Sequence, residues 1–133
     1  MSATPTSSVT VRPMTKRDTA AVRRFAEHWT PKGRAVVAED RGRVVGVASY
    51  AMTPQRYAYG VTLEIHPDYR AQGLGDRLHG ARVMDAKARG ASHFIGATTN
   101  PAMAKILEAW GGLKVPVKDD EGKDCYVLRL DVD

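Results

Sequence analysis

The stretch HPDYRAQGLGDRL, residues 66–78, decides the fold because it leads the chain from a strand into a helix through a short loop. An apolar, alternating run precedes it, and a run with helical spacing follows it. Gly73 and Gly75 leave backbone amides uncovered by side chains, and Arg70 adds a fixed positive charge. A helix that begins at Gly75 directs the positive end of its dipole at the same place. These features together predict a loop that holds a diphosphate.

Two common phosphate-binding loops do not fit this stretch. It lacks the Lys-Ser/Thr pair of a Walker loop, and no glycine stands three residues after Gly75, where a dinucleotide fingerprint has its third. Both of those loops follow the first strand of their domain, whereas this loop follows the fourth predicted strand. The arginine and the two flanking elements also argue against a plain turn.

Upstream of the loop, the sequence predicts one helix among four strands. A short strand, VTVRP, is followed by a capping box from Thr15 to Asp18, which marks a helix start. The next apolar residues recur at helical spacing on one face: Val22, Phe25 and Trp29. The runs RAVVAED and RVVGVASYAM then predict a hairpin, and YAYGVTLEI predicts a further strand in which Gly60 marks a bulge.

Downstream of the loop, the sequence predicts two helices and three strands. The first helix runs through Ala88 and is stopped by Gly90. The strand SHFIGATT follows, and Asn100 with Pro101 predicts the start of the next helix. Two short strands close the chain. The predicted order is therefore β-α-β-β-β-α-β-α-β-β, an α/β fold in which helices cover both faces of a mixed sheet.

Composition indicates one domain of 133 residues, with residues 1–8 as a disordered tail and residues 9–133 as the folded part. No apolar run is long enough to cross a membrane, and a single cysteine, Cys125, excludes a disulfide framework. Four scattered histidines imply no metal. We therefore expect a cytoplasmic protein that is a monomer or a homodimer.

The net charge of +5 is unevenly distributed, at +6 over residues 1–60 and −1 over residues 61–133. Such a cluster is either a solvated helix face or a surface for an anionic partner. The cluster has no interleaved aromatic residues, which disfavours nucleic acid as that partner. Its basic residues are Arg12, Lys16, Arg17, Arg23 and Arg24.

LEIHPDYRAQGLGDRL resembles the acetyl-CoA-binding motif of the GCN5-related N-acetyltransferase (GNAT) family, Arg/Gln-x-x-Gly-x-Gly/Ala after the fourth strand. NPAMAKILEAWGG resembles the second motif of that family, in which an Asn opens a short helix that ends in Gly. The resemblance covers residues 9–131. It implies a single-domain N-acyltransferase that uses acetyl-CoA and an amine-bearing acceptor.

The resemblance also implies residue roles at the cofactor. The peptide groups of Leu63 and Ile65 would bond the pantetheine arm, and one of these amides would polarise the thioester carbonyl. Arg70 would add charge at the pyrophosphate, and Asn100 would contact the pantetheine besides capping its helix. The pyrophosphate itself would lie on the backbone amides of Gln72, Gly73, Leu74, Gly75 and Asp76.

The catalytic residues depart from the family pattern. Members often donate a proton to the leaving thiolate from a Tyr in the second-motif helix, and Leu107 stands at that position here. Glu64 is the candidate general base, acting through a water, and Tyr59 is a second candidate because strand alternation places it on the side of Leu63 and Ile65. A module that binds CoA without catalysis remains the alternative.

The acceptor side of the predicted site also departs from the family pattern. Only about five residues separate the end of the first predicted helix from the next strand, so the usual second helix of the family is lacking. Its absence predicts an open acceptor groove bordered by the basic first helix. Such a groove suits an amine carried by a macromolecule or by an anionic molecule.

Overall fold

The computed structural model describes residues 8–26 and 33–130. The described elements follow the predicted order. They are β1 (Val9–Pro13), α1 (Thr19–Arg23), β2 (Arg34–Asp40), β3 (Arg43–Met52), β4 (Tyr57–Ile65), α2 (Leu74–Ala88), β5 (His93–Thr98), α3 (Pro101–Ala109), β6 (Leu113–Lys118) and β7 (Asp124–Arg129). The mixed α/β fold predicted from the sequence is confirmed. Residues 1–7 of the predicted tail lie outside the described part of the chain.

Within the described ranges, the seven strands form one sheet in the order β1-β2-β3-β4-β5-β7-β6. Neighbouring strands are antiparallel except β4 and β5, which are parallel. This parallel pair lies in the middle of the sheet. The connection through α2 carries the chain back along the sheet, so that β5 runs in the same direction as β4. Within the described residues, the centre of the sheet is therefore the place where the alternation of strand direction is interrupted.

The two faces of the sheet carry different helices, as the alternation along β2 shows. Val36 and Ala38 pack in one cluster with Leu74 and Leu78 of α2. Val37, between them, packs in another cluster with Val22 of α1 and lies on the opposite face. Because strand side chains alternate, α1 and α2 cover opposite faces of the sheet.

The first helix is shorter than the periodicity predicts. α1 ends at Arg23, and the amides of Arg24 and Phe25 donate to carbonyls three residues back, so the last turn tightens. Phe25 packs against the cluster around Val37 and approaches the His66 ring, at 6.3 Å between centroids. The prediction that the helix reaches Trp29 overshoots the end of α1 at Arg23. Trp29 itself, like the lacking second helix predicted between the first helix and β2, falls on residues 27–32, outside the described residues.

The two helices after β4 match their predicted limits. α2 is 15 residues long and α3 is 9 residues long, and a glycine follows closely after each. α3 lies on the face of α2, because the Trp110 ring covers Gly80 of α2. In the part of the chain that is described, no helix combines the length and apolarity needed to cross a membrane.

Candidate active site

β4 and β5 separate part-way along their length. They pair only from Tyr57 opposite His93 to Tyr59 opposite Ile95. Beyond this point β4 continues along β3 alone, and β5 continues along β7 alone. The resulting opening, which we call the splay, leaves one edge of β4 from residue 60 to residue 65 without a partner strand among the described residues.

The amides of Leu63 and Ile65 face the splay. The amides of Thr62 and His66 point the other way, toward β3, where they donate to Ser49 Oγ at 3.1 Å and to the Val45 carbonyl at 2.8 Å. Because peptide groups alternate along a strand, the amides of the intervening odd residues point to the open edge. The structure thus places these two predicted residues at an edge that can receive a chain carrying amides.

The loop before α2 carries a row of unpaired amides. Gly73 is the residue that precedes α2, with φ 78° and ψ 6°, and Ala71 also has a positive φ of 61°. No acceptor among the described residues takes the amides of residues 72–76. Consecutive amides at the start of a helix form an anion site, since the helix dipole adds to their partial charges.

Arg70 is fixed at the junction of the loop and the splay. Its Nε donates to the Ile65 carbonyl at 3.0 Å, which holds the guanidinium beside the open end of β4. Gly75, in the first turn of α2, lies close to the end of β4, since an added Cβ would stand 3.4 Å from Ile65 Cδ1 and from Ile106 Cδ1. The loop and the strand edge therefore form one continuous site.

A cleft of about 880 Å³ follows this site between the strands. Five of the predicted site residues for the cofactor line it: Leu63, Ile65, Arg70, Gly75 and Asn100. Gln72, Gly73, Leu74 and Asp76 belong to the adjoining loop through their backbone, and the Leu74 side chain is buried in the sheet cluster. The Asp76 side chain accepts a hydrogen bond from Trp110 Nε1 at 3.1 Å, which joins the start of α2 to α3.

Asn100 has the predicted capping contact and a free end. Its Oδ1 accepts the Ala102 amide at 2.8 Å, and Pro101 occupies the first position of α3. The Nδ2 group has no acceptor among the described residues, and Asn100 lines the cleft. Capping and contact with a ligand are therefore compatible at this residue.

A bulge in β4 corrects the predicted position of Tyr59. Ser49 pairs with Thr62 and Tyr50 pairs with Gly60, so Val61 is an extra residue in β4. The extra residue reverses the alternation, because side chains on either side of a bulge exchange faces. Leu63 packs on the α2 face. Ala58 packs with α2 residues as well, so the adjacent Tyr59 lies on the α1 face, which it shares with Glu64. The expectation that Tyr59 lies on the side of Leu63 and Ile65 is therefore wrong.

The two candidate catalytic side chains differ in access to the cleft. Glu64 is exposed and lines it, and its strand partner Val47 belongs to the cluster around α1. Tyr59 is 40% exposed and is not among the residues that line the cleft. Tyr50 is fully buried, and its hydroxyl donates to Asp85 Oδ2 at 2.5 Å; burial, followed by this hydrogen bond, raises the pKa of Tyr50.

Leu107 lines the cleft from α3 and is only 4% exposed. Its side chain packs on Gly96 of β5, where an added Cβ would stand 2.6 Å from Leu107 Cδ2. No tyrosine is among the described residues that line the cleft. The described site thus holds an apolar side chain where the family pattern would supply a phenol.

The sequence analysis missed two buried polar residues of α2, His79 and Arg82. They are 1% and 3% exposed, and Arg82 is among the residues that line the cleft. Burial, followed by the charge of Arg82, lowers the pKa of His79 to about 3, so this imidazole is neutral at ordinary pH. The one available signal was spacing, because Arg82 stands four residues after the buried Leu78 and therefore on the same helix face.

The charge of the cleft is positive. Arg24, Arg70, Arg82 and Lys123 line it, and Glu64 is the only carboxylate among the described lining residues. The basic cluster of the first half is in part neutralised: Arg12 contacts Asp18 at 2.9 Å and Glu39 at 2.8 Å. Arg24 is the member of that cluster that reaches the cleft.

Comparison with known proteins assigns the family. The family model described as Acetyltransferase (GNAT) family matches residues 7–111. The chain belongs to this family. Membership makes it an acyltransferase with acetyl-CoA as cosubstrate, and it confirms the resemblance of the two motifs. No curated protein matches the chain in sequence.

Solved structures share the fold at low sequence identity. The ribosomal-protein-S18-alanine N-acetyltransferase from Escherichia coli has a TM-score of 0.74 and 16% identity, over 94% of this chain and 96% of that one. An N-acetyltransferase from Staphylococcus aureus Mu50 has a TM-score of 0.74 and 19% identity, over 94% and 100%. N-acetylglutamate synthase from Neisseria gonorrhoeae, complexed with coenzyme A and N-acetyl-glutamate, has a TM-score of 0.78 and 15% identity. The match covers 93% of this chain and 35% of that one.

Proposed function

We propose that this acetyltransferase moves an acetyl group from acetyl-CoA to a primary amine by direct attack in a ternary complex. The observation that carries the proposal is the continuity of two sets of unpaired amides, those of residues 72–76 and those of the open β4 edge. A diphosphate fits the first set, and a chain with amide groups fits the second. The Neisseria gonorrhoeae relative, which was solved with coenzyme A, supports the same use of the fold.

In this proposal each cofactor contact has a named protein group. The amides of Gln72, Gly73, Leu74, Gly75 and Asp76 hold the pyrophosphate. Arg70 adds positive charge there with the guanidinium nitrogens that the Ile65 carbonyl does not use. Leu63 and Ile65 bond the pantetheine through their peptide groups, and Asn100 does so through Nδ2. One of the two strand amides stabilises the negative charge that develops on the thioester oxygen.

The chemical step needs a neutral amine and a proton for the thiolate. Glu64 is proposed to accept the amine proton through a water molecule, since its carboxylate lines the cleft. The amine nitrogen attacks the thioester carbonyl carbon, so the C–N bond forms as the C–S bond breaks. The leaving thiolate takes its proton from water, because Leu107 has none to donate. Tyr59, outside the cleft lining, has no assigned role.

The acceptor is proposed to be an amine on a macromolecule or on an anionic molecule. Three observations support this: the cleft is open, it is lined by Arg24 and Lys123, and it holds one carboxylate among its described residues. Positive charge repels free polyamines and attracts an amine that is attached to an anion. We further propose a cytoplasmic protein, where acetyl-CoA is available, as a monomer or a homodimer. Analytical ultracentrifugation decides between these two states.

The first experiment measures the melting temperature with and without saturating acetyl-CoA. Ligand at 100 times its Kd adds about 2.7 kcal/mol, which raises the melting temperature by several degrees in a domain of this size. The shift should vanish in the double variant Arg70→Ala, Gly73→Asp. Arg41→Ala, Gly42→Asp is the matched control, since Gly42 also has a positive φ, 83°, with no heavy atom within 4 Å of an added Cβ. No shift in the parent protein contradicts the proposal.

Leu107 favours a second candidate function, a CoA-binding module that does not catalyse. Tight binding of acetyl-CoA with no acetyl transfer to any class of amine would support it. The variant Leu107→Tyr tests whether a missing general acid limits turnover. If the variant folds and binds CoA but turns over no faster with an acceptor that the parent uses, the missing acid is not the limit.

A further inference from the structure

Arg82 is a buried guanidinium held entirely by neutral groups. Its Nε donates to His79 Nδ1 at 3.1 Å. Its Nη1 donates to the carbonyls of Ser49 at 3.0 Å and Thr62 at 3.1 Å, the residues at the β4 bulge. The guanidinium also lies over the Phe94 ring, 5.2 Å from its centroid. None of these partners carries a negative charge.

The positive charge of Arg82 has no counter-ion in the described part of the chain. Burial lowers the pKa of Arg82 to about 10, so the group is still protonated at neutral pH. The two N–H groups of Nη2 have no acceptor among the described residues, although Arg82 is only 3% exposed and lines the cleft. A buried charge is costly unless an opposite charge pairs with it. The site is therefore built to receive an anion.

Arg82 stands where the splay closes. Gly60 is the first residue of β4 beyond the pairing with β5, and an added Cβ there would stand 3.1 Å from both Nη1 and Nη2 of Arg82. Along α2, Arg82 lies nine residues after Gly73, about 13.5 Å at 1.5 Å per residue. A chain bound at residues 72–76, which we call the diphosphate loop, and laid along the open edge of β4 thus runs toward Arg82.

We propose that Arg82 binds a carboxylate at the end of the transferred acyl group, so that the enzyme accepts acyl-CoA donors such as malonyl-CoA or succinyl-CoA. This inference rests on the proposed function, because the acyl group reaches Arg82 only if CoA lies in the cleft. The transfer is the same as for acetyl: a C–N bond forms, the C–S bond breaks, and the thiolate gains a proton.

The face from which Arg82 extends assigns the carboxylate to the donor rather than to the acceptor. Arg82 belongs to α2, and the diphosphate loop leads directly into that helix, which covers one face of the sheet. Glu64, the proposed base for the amine, lies on the face of α1. An acceptor that meets Glu64 approaches from the side opposite to the helix that carries Arg82.

The test compares donors of equal shape and different charge. Dissociation constants are measured by calorimetry for CoA, acetyl-CoA, malonyl-CoA against isovaleryl-CoA, and succinyl-CoA against 4-methylvaleryl-CoA. We expect at least one charged donor to bind about tenfold more tightly than its neutral isostere, as for a charge-assisted hydrogen bond. Equal affinities within both pairs, with CoA and acetyl-CoA still bound, overturn this inference alone. Absence of binding by CoA and acetyl-CoA overturns the proposed function as well.

Variants test whether the Arg82 guanidinium causes the preference for a charged donor over its neutral isostere. Arg82→Gln should reduce it to less than twofold, Arg82→Lys should keep part of it, and Lys87→Gln, which removes an exposed charge from the same helix, should leave it unchanged. The parent-protein comparison needs no variant and stands even if Arg82→Gln does not fold. Acetyl transfer to alanine against alaninamide tests the acceptor: a carboxylate preference there that Arg82→Gln removes overturns the assignment to the acyl chain.

Discussion

The diphosphate loop and the contact between α2, α3 and β5 both depend on glycine, for opposite reasons. At Gly73 an added Cβ would have no heavy atom within 4 Å, so the missing side chain leaves open space. At Gly96 and Gly80 the same atom would meet Leu107 at 2.6 Å and Trp110 at 2.2 Å. Gly73 thus leaves space that a ligand can enter, whereas the space beside Gly96 and Gly80 is already filled by side chains of the protein.

The largest effect is expected for Gly96→Ala. Leu107 is only 4% exposed, and an added Cβ would stand 2.6 Å from its Cδ2, so the new methyl group overpacks the contact and lowers the free energy of unfolding by about 2–3 kcal/mol. Urea denaturation measures the loss. The double variant with Leu107→Ala should lose less than the sum of the two single variants. Strictly additive losses would contradict the direct contact.

The ion pair between Arg12 of β1 and Asp18 lies outside both glycine-dependent regions, and it gives a reference for the size of the effects expected there. Hydrogen bonds from Arg12 are the main cause that lowers the pKa of Asp18 to about 2, so the pair stabilises the fold above about pH 4 and is lost as pH falls from 4 to 2. Asp18→Asn should cost about 1–2 kcal/mol at pH 7 and flatten the acid dependence of unfolding over that interval. Asp120→Asn, an exposed carboxylate, is the control. If the free energy of unfolding of Asp18→Asn depended on pH in the same way as that of the parent protein, the ion pair would not be the cause of the acid dependence.

A smaller effect is expected for Gly80→Ala, despite the shorter distance. Trp110 is 37% exposed, so its ring can swing outward, and alanine favours the helix. Losing the Trp110–Asp76 hydrogen bond and part of the packing should leave a net cost of about 1 kcal/mol. Urea denaturation gives the cost, and tryptophan fluorescence should report a more exposed ring. A cost greater than that of Gly96→Ala would reverse the ranking.

The smallest effect on stability is expected for Gly73→Ala. Only the positive φ opposes the methyl group, at a cost of about 1 kcal/mol or less. Affinity for acetyl-CoA should nevertheless fall, because the methyl group enters the space beside the unpaired amides. Gly42→Ala, with φ 83°, should show the same small loss of stability and no loss of affinity. Equal affinity in both variants would contradict a ligand at the loop.

Much of the fold could be predicted because its signals are local. The turn at residues 41–42, the cap at Asn100 and the alternation along β2 each act over a few residues, and the structure has the strands and helices where these signals place them. The length of α1 was not predictable in the same way. Its end at Arg23 depends on the packing of Phe25 against another part of the chain, which no periodicity within the helix encodes.

The candidate site likewise combines features set by consecutive residues with features set by contacts between distant parts of the chain. The loop sequence alone indicated which backbone amides lack a partner and that Arg70 places a positive charge beside them. Glycine spacing and a helix start are properties of consecutive residues, so no tertiary contact is needed to recognise them. Only the tertiary structure decided that Tyr59 and Glu64 share a face, since the extra residue Val61 is defined by the register against β3.

Arg82 gives the clearest physical reason for this division. In the sequence it is one of three basic residues on a helix, and only its spacing of four residues from Leu78 separates it from an exposed one. Its burial at the closed end of the splay arises from β4, α2 and Gly60 meeting across more than 20 residues of chain. The sequence alone indicated the uncovered amides of the loop and the charge of Arg70, and long-range packing decided which positive charge lies buried at the closed end of the splay.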